Sequence, residues 1–244
     1  MNEEFPRAPR LFVDGPLRAG ALIELPERAA HHARRVLRLR EGDPVTLFDG
    51  RGGEWQATLA RGAAAAVDAW HDVEREARLQ VTLVQGVSAG ERMDLTVQKT
   101  TELGVAAIQP VLARKSVVRI AGARADARVE HWRRVAIAAC EQCGRNRVPA
   151  VLAPVPLAEY CRNPSGALRL LLAPDAQTSL SAAAGHGSGP ITLAIGPESG
   201  FDTAEEASLA RAGFLAVRLG ARVLRTETAA PAALAALAAL AGEF

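Results

Sequence analysis

From Leu79 onward, strand-sized apolar runs alternate with helical periodicity, and that alternation constrains this 244-residue chain more than any other feature. Leu79-Gln-Val-Thr-Leu-Val84 reads as a strand, and Arg92 to Leu103 as a helix closed by Gly104. Ala107-Ile-Gln-Pro-Val111 is extended, Asp126 to Cys143 helical, and Leu168–Leu172 and Ile191–Ile195 strand-like. Thr203 to Ala212 reads as a helix with Thr203 as its N-cap, Phe214 to Leu219 as a strand, and the chain ends in a helix from about Thr228, capped by Thr226 or Thr228. Such alternation predicts an α/β domain built on a largely parallel sheet.

Before Glu74–Arg78, a charged stretch suited to a linker, the pattern is different. Arg10–Val13, Ala21–Leu25, Pro44–Phe48 and Glu54–Leu59 are short strands set off by Gly, Pro and Asp, with one helical stretch from Ala29 to Leu39. Short strands with one helix suggest a small β-barrel. The expected division is therefore 1–74 and 75–244.

With 49% hydrophobic and 23% charged residues, the composition is that of an ordinary globular chain. No apolar run reaches the roughly 18–20 residues that span a bilayer, and the acidic start Met1-Asn2-Glu3-Glu4 is unlike a secretory signal. The expectation is a cytoplasmic protein without membrane contact. The formal net charge of +2 hides two basic stretches. Arg7 to Arg40 holds eight Arg against three acids, and Arg114 to Arg147 nine basic residues against three. That distribution suits a polyanion such as a nucleic acid, with Arg10, Arg34, Arg35, Arg38, Arg114 and Arg145 as candidate contacts. Cys140-Glu-Gln-Cys143 has the spacing of a redox pair or half a zinc site. It lies inside a helical pattern and has no matching Cys/His pair, so it reads as two small helix residues, and no metal is expected.

Chemistry is expected at two loops that follow apolar strands, Ile195-Gly-Pro-Glu-Ser-Gly200 and Leu219 to Ala229, because ligands of such sheets bind beyond the strands' C-terminal ends. Glycines there let backbone approach a ligand, such as an adenine edge or a ribose. Neither loop has the dinucleotide or triphosphate glycine pattern. The last helix carries an apolar stripe, Leu234, Leu237 and Leu240, suited to the core or to a subunit interface.

Taken in order, several segments resemble the RsmE family of 16S ribosomal RNA methyltransferases, in the trefoil-knotted SPOUT class. They are Arg10-Leu-Phe12, His32-Ala-Arg-Arg-Val-Leu-Arg38 with Gly42-Asp43, Gln98-Lys99-Thr-Thr-Glu-Leu-Gly104, Ile108-Gln-Pro110, Arg114-Lys-Ser116, Glu141-Gln-Cys-Gly-Arg145 with Pro149, Ile195-Gly-Pro-Glu198, and Leu219-Gly220 with Leu224-Arg-Thr-Glu-Thr-Ala229. The resemblance covers nearly the whole chain. It implies a PUA-like RNA-binding β-barrel, a knotted α/β domain for cofactor binding and dimerisation, a homodimer, and methylation of N3 of one uridine of 16S rRNA, within the small ribosomal subunit. It implies S-adenosylmethionine held by Leu172-Ala-Pro174, by Ile195, Gly196, Pro197, Glu198 and Gly200, and by Leu219, Gly220, Val223, Leu224, Arg225, Thr226 and Ala229.

Uridine N3 must lose its proton to accept a methyl group, so a cation aimed at a carbonyl oxygen has a role. Arg225 is the candidate, with Arg10 positioning the RNA and Glu198 or Glu227 open as bases. Ser199 departs from the family's Gly-Gly after Gly-Pro-Glu, and a left-handed backbone there would cost about 1 kcal/mol. The alternatives are methylation of a ribose 2′-hydroxyl or another base, a non-catalytic RNA-binding assembly factor, and a thiol redox protein.

Overall fold

The structure is a computed structural model and describes residues 8–116, 122–164, 168–185 and 189–244. The chain divides into two compact units: Met1–Glu76 with Ile137–Val148, and Ala77–Ala136 with Pro149–Phe244. The division expected from sequence differs in placing 137–148 in the second domain.

In the first unit, β1 (Arg10–Phe12), β2 (Leu22–Glu24), β3 (Pro44–Phe48), β4 (Glu54–Ala60) and β5 (Ala64–His71) form one sheet in the order β1-β3-β4-β5-β2. β1 runs parallel to β3 and the other neighbours are antiparallel. Alternate residues such as Val45, Leu47, Ala57, Leu59, Ala65 and Val67 point inward onto Leu11, Leu25 and Ala33. β5 has no counterpart in the sequence pattern, because it opens with Ala64-Ala-Ala66 and Val67 is its one β-branched residue. Helix α1 (Glu27–His31) passes into a π-helical turn, His32–Val36, in place of the single helix expected to Leu39. Ile137–Val148 joins this unit through backbone as well as side chains, with Gly52 N–H donating to the Asn146 carbonyl at 3.2 Å.

The second unit carries a wholly parallel seven-stranded sheet. Its strands are β6 (Val81–Gly86), β7 (Ala107–Leu112), β8 (Ala150–Val151), β9 (Val155–Pro156), β10 (Leu168–Leu172), β11 (Ile191–Ile195) and β12 (Leu215–Val217). The order is β12-β10-β11-β6-β7-β8, with β9 also on β7. β11 is buried at every residue, as a central parallel strand covered on both faces must be. One face packs Val84, Val111, Leu171 and Ala194 against Leu157, Leu209 and Phe214. The helices are α2 (Glu91–Glu102), α3 (Ala123–Cys143), α4 (Leu157–Tyr160), α5 (Leu180–Ala184), α6 (Thr203–Arg211) and α7 (Thr226–Leu240), of which α3 ends in the first unit.

Two helix starts differ from expectation. Asp202, not Thr203, caps α6, in a full capping box with Glu205 that satisfies two otherwise orphaned amides. α7 begins at Thr226 after Arg225, without a side-chain cap, because the donor-only guanidinium of Arg225 cannot accept from the helix amides, and the Thr226 hydroxyl donates to the Gly196 carbonyl. Leu234 and Leu237 are buried within the chain, α7 packing on α2 and α5.

Candidate active site

Strand order in the second unit creates the site. The chain leaves β6 toward β7 on one side of the sheet and leaves β11 toward β12 on the other, so the connections diverge at neighbouring strands β11 and β6. A crevice opens at such a point beyond the strand ends. Here it is a cavity of about 420 Å³, within the range of small-ligand sites. It is lined by Leu172, Ala173 and Pro174 after β10, by Ile195, Gly196, Pro197, Glu198 and Gly200 after β11, and by Leu219, Gly220, Val223, Leu224, Arg225, Thr226 and Ala229 between β12 and α7. Every residue expected at the cofactor is thus in one pocket wall. Arg222 and Glu227 of the Leu219–Ala229 loop also line it, as does Arg92 of α2, which lies outside the expected loops.

Close backbone packing shapes the floor. A Cβ on Gly196 would stand 2.9 Å from Gly200 Cα, and a Cβ on Gly86 would stand 2.4 Å from the Pro197 ring and nitrogen. Gly200, at φ +68°, takes the left-handed turn position and donates its N–H to the Pro197 carbonyl at 2.8 Å. Ser199 therefore escapes left-handed strain, since among the described residues Arg38 is the non-glycine at positive φ. A buried relay ties the loops together. Gln85 Nε2 donates to Thr226 Oγ1 at 2.9 Å and to the Gly86 carbonyl at 3.0 Å, and the Thr226 hydroxyl donates to the Gly196 carbonyl at 2.7 Å. Gln85 is visible in the sequence as a polar residue ending an apolar strand, a signal that attention to the loops alone passes over.

The two pocket carboxylates are not equivalent. Glu198 Oε1 accepts from Ala89 N–H at 3.0 Å and from Arg92 Nη1 at 2.9 Å. Burial pushes its pKa up, but the amides of Glu198 itself and of Ala89, with Arg92, outweigh that and hold it below the usual carboxylate range. Glu227 is nearly enclosed, with Oε1 3.9 Å from Arg92 Nε and Oε2 without a hydrogen-bond partner among the described residues. Arg225 is exposed at the pocket rim, its carbonyl accepting from the Thr228 and Ala229 amides at the first turn of α7.

The basic candidates separate by burial. Arg35, Arg38 and Arg114 are exposed, while Arg34 is half-buried and donates to the Ala60 carbonyl at 2.9 Å. Arg10 and Arg145 correct the expectation of open, polyanion-facing side chains. Arg10 lies 4.7 Å over the Phe48 ring and donates to Glu54, to Asn146 Oδ1 and to the Arg145 carbonyl. Arg145 is 5% exposed and pairs with Glu76 at 2.6 Å. Both serve the interior of the first unit. Glu54, shared by Arg10 and Arg75, is held at a pKa of about 2: burial raises it, and the two guanidiniums more than reverse that.

Cys140 is buried, and burial pushes its thiol up to about 12, the opposite of an activated thiolate. Among the described residues no three His, Cys, Asp or Glu side chains gather as a metal site requires. No described helix is long and apolar enough to cross a membrane.

Residues 75–238 match the model of an RNA methyltransferase domain, and residues 25–63 that of an RNA methyltransferase PUA domain. The ribosomal RNA small subunit methyltransferase E of Synechocystis is 34% identical over 98% of this chain and 80% of its own length. This chain belongs to the ribosomal RNA small subunit methyltransferase E family. Other methyltransferase E relatives agree, among them that of Mycobacterium bovis, at 33% identity over 94% of this chain and 90% of that one. Two solved structures superpose closely on this methyltransferase E fold. A putative methyltransferase from Legionella pneumophila, in complex with the cofactor SAM, has a TM-score of 0.91 at 37% identity, covering 96% of this chain and 98% of that one. The methyltransferase E of Neisseria gonorrhoeae, bound to S-adenosyl methionine, has a TM-score of 0.87 at 39% identity, with the same coverage. The methyltransferase E fold thus joins a PUA domain to an α/β methyltransferase domain, as the sequence implied.

Proposed function

We propose that this chain uses S-adenosylmethionine to methylate N3 of a uridine in the 16S RNA of the small ribosomal subunit. The observation that carries the reading is the convergence of the loops after β10, β11 and β12 on one pocket, at the diverging point of the sheet. Its apolar walls Leu172, Ile195, Leu219 and Leu224 suit an adenine and an aliphatic chain, and the glycine-lined floor exposes backbone for nucleoside hydrogen bonds. Both solved relatives with cofactor share this fold at more than a third identity.

When bound, the cofactor supplies an electrophilic methyl group on a sulfonium. The chain's own residues do the rest. Gly86 and Gly196 let the Gly196–Gly200 loop pack tightly as the pocket floor. The Gln85–Thr226 relay fixes the α7 start against the Gly196 loop. Arg225, at the rim, stabilises negative charge on a uridine carbonyl oxygen as N3 gives up its proton. Glu198 is committed to Arg92 and two amides, which leaves Glu227 as the pocket carboxylate available to accept a proton. In the same reading 1–74 is the RNA-binding part, 75–244 carries the knotted crossing, the cofactor and the dimer contact, and the homodimer works on the small subunit in the cytoplasm.

Incubating purified protein and small subunits with methyl-labelled cofactor, then digesting the RNA for mass spectrometry, tests this. The expected product is N3-methyluridine at one position; label on a ribose or another base overturns the N3 assignment, and no label overturns the enzyme. Arg225→Ala should abolish transfer while cofactor affinity stays within about tenfold, or 1.4 kcal/mol. Complete loss of cofactor affinity would make Arg225 a binding residue instead.

A further inference from the structure

The turn after α1 combines three features that a merely solvated helix end does not need. Its backbone is π-helical over His32–Val36, with Leu37 N–H reaching the His32 carbonyl at 2.9 Å. The extra residue per turn is uncommon and concentrates at functional sites. The next turn closes from Leu39 N–H to the Ala33 carbonyl at 2.9 Å and leaves Arg38 at φ +56°. That position after a helix ordinarily falls to glycine. Between these irregularities stand two exposed apolar side chains, Val36 at 60% and Leu37 at 38% exposure, although Ala29 and Ala33 of the same segment are buried.

The charge around them has one sign. Arg34, Arg35, Arg38 and Arg40 fall within seven residues, and no acidic residue lies between Arg28 and Arg40. Arg35 and Arg38 are exposed and make no ion pair with any described residue. Water alone does not offset two backbone strains that display apolar groups between guanidiniums. A single-stranded RNA segment does, because its phosphates take arginines while its unstacked bases and riboses offer apolar faces.

We propose that this knuckle, residues 35–38, is where the first unit grips RNA: Val36 and Leu37 pack against an unpaired base or ribose, and Arg35 and Arg38 hold the phosphates beside it. The inference rests on the RNA-methyltransferase reading and adds to it an apolar surface that charge counting cannot supply. The left-handed backbone at Arg38 sets the point from which its exposed side chain leaves the turn, directly after Val36 and Leu37.

Apolar and phosphate interactions respond differently to salt, and that separates them. Binding of full-length protein to in-vitro transcribed 16S RNA is measured at several salt concentrations. Val36→Ser with Leu37→Ser should weaken binding about tenfold at every concentration and leave the salt slope unchanged. Arg35→Ala with Arg38→Ala should lower the slope by about 1.4, about 0.7 for each single-strand phosphate that is no longer neutralised. Arg38→Gly should weaken binding while the melting temperature is kept or raised, since glycine accepts the left-handed position. Affinity within twofold of wild type for the Val36/Leu37 double variant overturns the proposal, as does its conversion from dimer to monomer in sedimentation, which would assign the surface to a second copy of the chain. Should the wild type itself bind no RNA, the enzyme reading falls, which is a separate outcome.

Discussion

Replacing Gly86 with Ala tests the site at a residue that touches no ligand. The added Cβ would stand 2.4 Å from both Pro197 Cδ and Pro197 N, and 2.9 Å from the Gly196 carbonyl carbon. None of these atoms belongs to a flexible side chain, so the strain cannot be relieved by a rotamer. The loop must retreat by about 0.6 Å to reach the 3.0 Å limit of real Cβ packing, and by about 1 Å for an ordinary 3.4 Å separation. Overpacking of this kind costs about 2 kcal/mol, a fall of about 4–8 °C in Tm for a chain of this size. The same retreat pulls the Gly196 carbonyl from the Thr226 hydroxyl and shifts the pocket floor. Cofactor affinity should fall at least about tenfold by calorimetry, and single-turnover methylation about a hundredfold, since an ångström of misplacement is that costly. Gly200→Ala is the control: its added Cβ meets nothing within 4 Å, so only the left-handed backbone is strained, at about 1 kcal/mol. A Gly86→Ala protein that melts and binds cofactor like the wild type, or that suffers less than Gly200→Ala, refutes the packing argument.

Other outcomes follow from the described interactions. Glu54 titrates near 2 in the fold instead of 4.5, so its contribution is complete above about pH 4.5 and is lost as pH falls toward 2. The gap is worth at most about 3 kcal/mol, and Glu54→Gln should flatten the stability–pH curve in that window, as urea melts at several pH values will show. Thr226→Val leaves the Gly196 carbonyl without its hydroxyl donor and the Gln85 amide short of an acceptor; it should cost about 1–3 kcal/mol and weaken cofactor binding, with Thr226→Ser restoring both. Replacing Cys140 and Cys143 together by Ser should leave methyl transfer per folded molecule unchanged; an inactive but folded variant would revive a thiol role.

The α/β alternation and the three pocket loops are legible because each is written in consecutive residues: an apolar run, a glycine, a helix start. What escapes is decided by partners far along the chain. Gly86 ends a strand unremarkably until Pro197 is seen against it, and Arg92 is an ordinary surface residue of α2 until Glu198 meets it. Charge counting finds the basic stretches but not their direction, so Arg10 and Arg145 look open in the sequence when Glu54 and Glu76 draw them inward. β5 is hidden by alanines, and the allegiance of 137–148 by the unbroken periodicity of α3.

That last segment changes what it means to take the protein apart. The polypeptide passes between its units three times, after Glu76, after Ala136 and after Val148, so no single break in the gene separates them. A fragment stopped at residue 76 would keep Arg10, Glu54 and Glu76 but forfeit Asn146 and Arg145, leaving a guanidinium and two carboxylates short of the partners that enclose them. Transplanting the first unit onto another enzyme would therefore demand a discontinuous graft, and recombination at the obvious linker would deliver an unfinished module.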